Sequence, residues 1–236
     1  LILQRLPATL ELAIAALVIA VVLGVPLGLL AGLYPDSWFS KSIMAGSIVG
    51  FSLPTFWVGL MLIMTFSVSL GMLPSSGRGQ TVEFLGAQWS FLTADGLRHM
   101  LLPAINLSLF KISLVIRLTR AGVREVLPLD YVKFARAKGI SERRILTRHI
   151  LRNILIPVVT VIGMEFGTLI AYSTITETVF AWPGMGKLLI DSIYKLDRPV
   201  VVAYVMLVTF IFVMINLLVD LAYAVLDPRV QLQEAP

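Results

Sequence analysis

The chain has 236 residues, of which 58% are hydrophobic and 14% charged, with a mean hydropathy of +0.90 and a formal net charge of +5. Soluble domains are about 45–50% apolar, and the apolar runs here leave too little polar sequence to surface even one such domain. Cysteine is absent, which excludes a disulfide framework and thiolate metal ligation.

A helix needs about 20 apolar residues to cross a bilayer, and five stretches reach that length: 8–33, 43–68, 100–118, 154–175 and 200–219. Small or helix-bending residues recur in them: Gly24, Pro26 and Gly28; Pro54 and Gly59; Pro103; Pro157, Gly163 and Gly167. Such residues let helix backbones approach closely where no hydrophobic drive exists between helices. No charge occurs between Ser42 and Gly77 or between Pro199 and Val219, whereas the third span carries Lys111 and Arg117.

Ten of the 19 Lys and Arg residues lie between Arg117 and Arg152, against three acidic residues (Glu125, Asp130, Glu142). This loop is therefore expected in the cytoplasm. Threading outward places 34–41 on the same side, 69–99 and 177–198 outside, the C-terminus inside and Leu1 outside. Leu1 is not an initiator methionine and no signal peptide precedes it, so one earlier span is expected before this sequence.

Within the basic loop, Asp130 is placed to cap a short helix over 131–138, Gly139 to stop it, and Ser141 with Glu142 to start the next. Tyr131, Phe134 and Ala135 share one face at spacings of three and four, while Lys133 and Arg136 point elsewhere. Exposed aromatics on a short helix suit insertion into a groove of another protein. The same pattern is open to a basic amphipathic helix lying on anionic membrane lipid.

Ionisable groups inside spans are candidates for function, and Lys111 and Glu165 qualify. Glu165, Thr168, Tyr172 and Thr176 form a polar stripe along one helix face. Glu165 is open to two roles, contact with a cationic group of a substrate or a structural pair with Lys111 or a partner's charge. Asn106 and Asn216 are expected to hydrogen-bond between helices. His99 and His149 stand fifty positions apart, and neither is expected to have a carboxylate or histidine at helical ligand spacing, so no metal site is expected. Gly184-Met-Gly-Lys187 lacks the earlier glycine and the Ser or Thr of a phosphate-binding loop, and Trp182-Pro183-Gly184 reads as a turn with an interfacial aromatic. No nucleophile with a base and no paired carboxylates appear, which argues against an enzyme.

The run Asp130-Tyr-Val-Lys-Phe-Ala-Arg-Ala-Lys-Gly139, followed by Arg148-His-Ile-Leu-Arg-Asn153 and Ile156-Pro157, resembles the EAA loop of ABC importer permeases. It is most similar to the dipeptide, oligopeptide and nickel group, which has segments like Phe51-Ser-Leu-Pro-Thr-Phe-Trp-Val-Gly59, Glu177-Thr-Val-Phe-Ala-Trp-Pro-Gly-Met-Gly186, and Leu217-Leu-Val-Asp-Leu-Ala-Tyr223 before Asp227-Pro-Arg229. Within it the chain resembles the first of two sister permeases, with Lys133 and Phe134 where Glu and Ala name the loop. The resemblance implies an all-α, polytopic transmembrane bundle of the MetI-like, type I importer kind, forming one permease domain over 1–236 with a coupling loop at 122–153. It also implies that Asp130, Tyr131, Phe134, Ala135, Ala137, Gly139 and Ser141 contact an ATPase. The implied partners are a homologous sister permease, two cytoplasmic ATPases that bind ATP and Mg, an extracytoplasmic solute-binding protein and membrane lipid, with no nucleic acid and no cofactor in this chain. The setting would be the bacterial cytoplasmic membrane and the cargo peptides or a related solute such as nickel. The alternative is a stand-alone secondary carrier or channel.

Overall fold

The computed structural model describes residues 1–226, so the Asp227-Pro-Arg229 motif and the C-terminal tail lie outside the described residues. The chain begins with a long helix, α1 (Ile2–Leu33), and a tight turn leads to α2 (Trp38–Ser52). Ser37 caps α2, its hydroxyl accepting from Ser40 N at 3.1 Å, as short polar side chains do at helix starts. Next come α3 (Thr55–Leu62), a π-helical continuation (Ile63–Ser69) and a hairpin of β1 (Val82–Phe84) with β2 (Ala87–Trp89). The remaining elements are α4 (Ala94–Val126), α5 (Asp130–Ala137), α6 (Glu142–Arg144), a second π-helical stretch (Ile145–Leu151), α7 (Arg152–Val179), α8 (Met185–Tyr194) and α9 (Arg198–Leu226).

Four described helices are long and apolar enough to cross a membrane: Ile2–Leu33, Ala94–Val126, Pro157–Val179 and Arg198–Val219. The expected span at 43–68 is not a straight helix. It consists of Trp38–Ser52 and Thr55–Ser69 bent by 105°, and makes a fifth crossing only when the pair is taken as one broken span. Pro54 explains the break, because it lacks an N–H and holds Leu53 before it in an extended conformation (φ −79°, ψ 134°). The third span, expected over 100–118, instead reaches Val126 in one 33-residue helix. The described residues are all-α apart from the hairpin, whose Leu85–Gly86 corner has positive φ at both positions (53° and 75°), the twist that a two-residue hairpin turn requires.

The bundle is built on α1 against α4. Gly24, Gly28 and Gly32 recur at every fourth position, and a Cβ at each would come within 2.7 Å of Val115, 2.6 Å of Thr119 and 2.6 Å of Val123, respectively. This stripe brings two backbones together without large side chains between them. α7 packs on α4, and α9 lies on α7, where Gly163 and Gly167 receive Val219 and Phe212.

The loops fall at two ends. Leu33 and Tyr34 meet Leu127, Arg136 and Glu142 at the end that carries α5 and α6. Ala8, Thr9 and Glu11 meet the hairpin and α8 at the opposite end. The described loops expected on one side of the membrane therefore share one end of the bundle, and those expected on the other side share the opposite end.

Candidate functional site

The basic end is organised by α5. Val132 and Ala135 are buried against Val123 at the end of α4 and against Ile145, Ile150 and Ile154 on the chain leading into α7. Ala135 therefore belongs to the packing face, and it departs from the expected docking face of Tyr131 and Phe134. Phe134 is 62% exposed, with Lys138 Nζ 4.5 Å from its ring centre. Tyr131 is 39% exposed, and its hydroxyl accepts from Asn153 Nδ2 at 2.7 Å, which ties α5 to α7. Ala137 is exposed at the helix end.

Asp130 is not the N-cap. Leu129 takes that position, and the exposed Asp130 carboxylate accepts from Lys133 Nζ at 3.1 Å. Gly139 ends α5 at φ +74°, with Ile140 N donating to Ala135 O (3.2 Å) and Gly139 N to Arg136 O (2.9 Å). These two bonds form a Schellman closure that glycine enters without steric cost, and Ile140 packs in the same cluster as Ala135. Ser141 starts α6 through its backbone, its carbonyl accepting from Arg144 N at 2.9 Å, while its hydroxyl makes no capping bond. Arg136 Nε donates to Glu142 Oε1 at 2.8 Å, an exposed bridge across the bend. The expected loop at 122–153 is thus mostly helical, since α4 occupies its first residues and a π-helical stretch with the start of α7 its last.

A second constellation lies inside the bundle. Lys111 on α4 makes an ion pair and hydrogen bond with Glu165 Oε2 on α7 and donates to Thr168 Oγ1 at 2.9 Å. The pair opens onto a cavity of about 510 Å³ that Thr55, Phe110 and Tyr172 also line. Above it, Phe51 stacks on Phe110 at 4.5 Å and Arg117 covers Phe51 at 4.8 Å, which fastens the end of α2 to α4. The expected stripe divides here. Glu165, Thr168 and Tyr172 line the cavity, whereas Thr176 is fully buried and accepts from Asn106 Nδ2 at 3.0 Å, the interhelical bond expected of Asn106. Steps of three, four and four residues return Thr176 to within roughly 20° of Glu165 around the helix, so the separation is one of depth, with Thr176 roughly 16 Å further along α7 at the level of Asn106.

At the opposite end two buried carboxylates hold the loops. Glu11 accepts from the Arg78 guanidinium at 2.7 Å and from Ser90 N and Phe91 N at 2.5 and 2.7 Å, which pins the hairpin segment to α1. Glu177 accepts from Thr9 Oγ1 (2.7 Å), Ser173 Oγ (3.0 Å) and Lys187 N (3.0 Å), fixing the start of α8. Neither residue is among the ionisable groups expected to matter inside the spans, although Glu11 stands alone in an apolar run and Glu177 lies just past the fourth stretch. Trp182 is fully buried, with Nε1 donating to Ala8 O at 2.9 Å, so it is a core residue of the turn and not an interfacial one. His99 does have a carboxylate at helical spacing, Asp95, whose Oδ1 lies 3.6 Å from Nδ1. Among the described residues no three potential metal ligands of the His, Cys, Asp or Glu type come together.

Residues 24–232 match the family described as binding-protein-dependent transport system inner membrane component. The chain is 44% identical over 239 residues to the di/tripeptide transport system permease protein DppB of Pseudomonas aeruginosa (strain UCBPP-PA14), covering 96% of this chain and 71% of that protein. It is 41% identical over 244 residues to the dipeptide transport system permease protein DppB of Escherichia coli (strain K12), with the same coverage. A solved structure of the MetNI methionine ABC transporter in an inward-facing conformation superposes with a TM-score of 0.74 at 18% identity over 96% of both chains. An amino acid ABC transporter solved with histidines gives 0.64 at 17% identity, over 94% of this chain and 92% of that one. The two structures share the fold of the bundle, and the sequence match assigns the family: the chain belongs to the binding-protein-dependent transport system inner membrane components, the permeases of ABC importers.

Proposed function

We propose that the chain is the membrane-spanning subunit of an ATP-driven importer that carries di- and oligopeptides across the bacterial inner membrane by alternating access. Its partners in this reading are a homologous sister permease, two cytoplasmic ATPases that bind ATP and Mg, and an extracytoplasmic solute-binding protein. The chain hydrolyses nothing itself. The α5 end faces the cytoplasm, as its excess of Lys and Arg requires, and Phe134 with Tyr131 docks into a groove of an ATPase, where aromatic residues supply most contact energy. The names of the peptide-permease relatives support the cargo, with nickel as the related solute to compare.

The observation that carries this reading is the two-sided placement of α5, which presents Phe134 outward while Val132 and Ala135 lock onto the ends of both α4 and α7. A displacement of α5 is thereby passed to two helices, and these carry Lys111 and Glu165 some 11 to 12 residues, about 17 Å, further along. Closure of the ATPases would move this lever, and the cavity would change its side of access. Purification of the intact protein in mild detergent tests the partnership. Co-purification of an ATP-hydrolysing subunit is expected, and a protein that stays alone and transports without ATP would be a carrier or channel.

A further inference from the structure

Resting on the peptide-importer reading, we propose that Lys111 and Glu165 form a substrate subsite that exchanges its own ion pair for the two termini of a free, zwitterionic peptide. Lys111 takes the α-carboxylate and Glu165 takes the α-ammonium group.

The pair is built for exchange. The Lys111 side chain is only 6% exposed, so its charge needs an anionic partner at all times. Glu165 is 28% exposed, and its Oε2 accepts from Lys111 and Thr168. Its other oxygen, Oε1, accepts no hydrogen bond among the described residues and is available to an ammonium donor. Thr168 Oγ1 bridges the two charges, accepting from Lys111 and donating to the Glu165 carboxylate. It therefore keeps both heads in place when the direct contact opens. Tyr172, 70% exposed at the next turn, offers a hydroxyl to a peptide amide. The cavity of about 510 Å³ lies in the size range of small-ligand sites.

Charge bookkeeping gives the selectivity. A zwitterion and the Lys–Glu pair are each neutral, so exchange leaves no buried charge without a partner at either step. A peptide blocked at one end frees one member of the pair and leaves the other without a partner, which is the arrangement that burial penalises most. A peptide blocked at both ends leaves the pair intact and gains nothing from it.

The first test uses the whole transporter in proteoliposomes, with the double variant Lys111→Met/Glu165→Met, in which apolar residues of similar length replace the pair. A purely structural pair tolerates this replacement. The proposal predicts an assembled complex whose ATP turnover persists while uptake of Ala-Ala falls at least about tenfold. Assembly with wild-type uptake would overturn it. Absence of Ala-Ala uptake by the wild-type complex would instead overturn the peptide reading beneath it. The second test does not disturb the pair. In this cysteine-free chain, Tyr172→Cys is labelled with a small thiol reagent in the detergent-solubilised complex without binding protein. Saturating Ala-Ala is expected to slow labelling of this chain about tenfold, as at roughly ten times the dissociation constant, and N-acetyl-Ala-Ala-amide to leave it unchanged. Equal protection by both compounds, or none by Ala-Ala, contradicts the subsite and decides the matter alone if the double variant does not assemble.

Discussion

Gly139 shows how far a single residue carries. Its φ of +74° is set by the Schellman closure, and nothing lies within 4 Å of a Cβ added there, so a side chain meets backbone strain and no clash. Gly139→Val is expected to cost about 1–2 kcal/mol locally and to re-aim α5, so that ATP hydrolysis persists while uptake falls. Gly139→Asn, which tolerates this conformation better, should retain more uptake, and parallel assays of hydrolysis and uptake check both. The glycine was legible because it separates two amphipathic patterns. Ala135 was not, because a face drawn through Tyr131, Phe134 and Ala135 spans an arc whose edge already touches the core. Only the position of Ile145, Ile150 and Ile154 decides which part of that arc is buried. Glu11 shows the reverse failure, since its partners Arg78, Ser90 and Phe91 come from a segment 67 or more positions away.

Among the elements, the α1–α4 contact should be the least forgiving. A Cβ at Gly28 would stand 2.6 Å from Thr119 Cβ and 2.8 Å from the Ile116 carbonyl, and a backbone oxygen has little room to move. Gly28→Leu is expected to destabilise the bundle by about 1–3 kcal/mol or more, the usual range for overpacking. Gly46→Leu on α2, where nothing lies within 4 Å of the added Cβ, serves as the matched control. Thermal unfolding in detergent should separate the two, and equal midpoints would remove the close-packing role of the glycine stripe. Helix positions were readable from apolar length, and four of the five stretches became helices that extend past the expected bounds at one end or both. The second stretch misled because hydropathy is blind to direction. An uncharged run reads as one span whether or not Pro54 turns it by 105°. The hairpin was hidden for a related reason, as strands of three residues leave too short an alternation to detect.

At the scale of the molecule, three tied regions lie along one bundle. Glu11 and Glu177 fasten the loops at one end, Lys111 and Glu165 join α4 to α7 in the middle, and α5 grips the same two helices at the other end. Movement imposed at α5 therefore reaches the cavity through helices already locked together, and the loops fastened at the far end define what the helices move against. The overall class and the basic foot were legible because membrane length and charge asymmetry are local properties of sequence. The cavity was half legible, since the polar stripe named its α7 wall but nothing in the spacing brought Thr55 and Phe110 to it. The most direct measurement compares ATP-driven uptake of labelled Ala-Ala by proteoliposomes holding the full transporter with wild-type chain or Phe134→Asp, which alters an exposed side chain and leaves the Val132–Ala135 packing in place. Uptake that requires ATP in the wild type and falls at least about tenfold in the variant, with insertion unchanged, is the predicted result. Equal ATP-driven uptake by both would contradict the account.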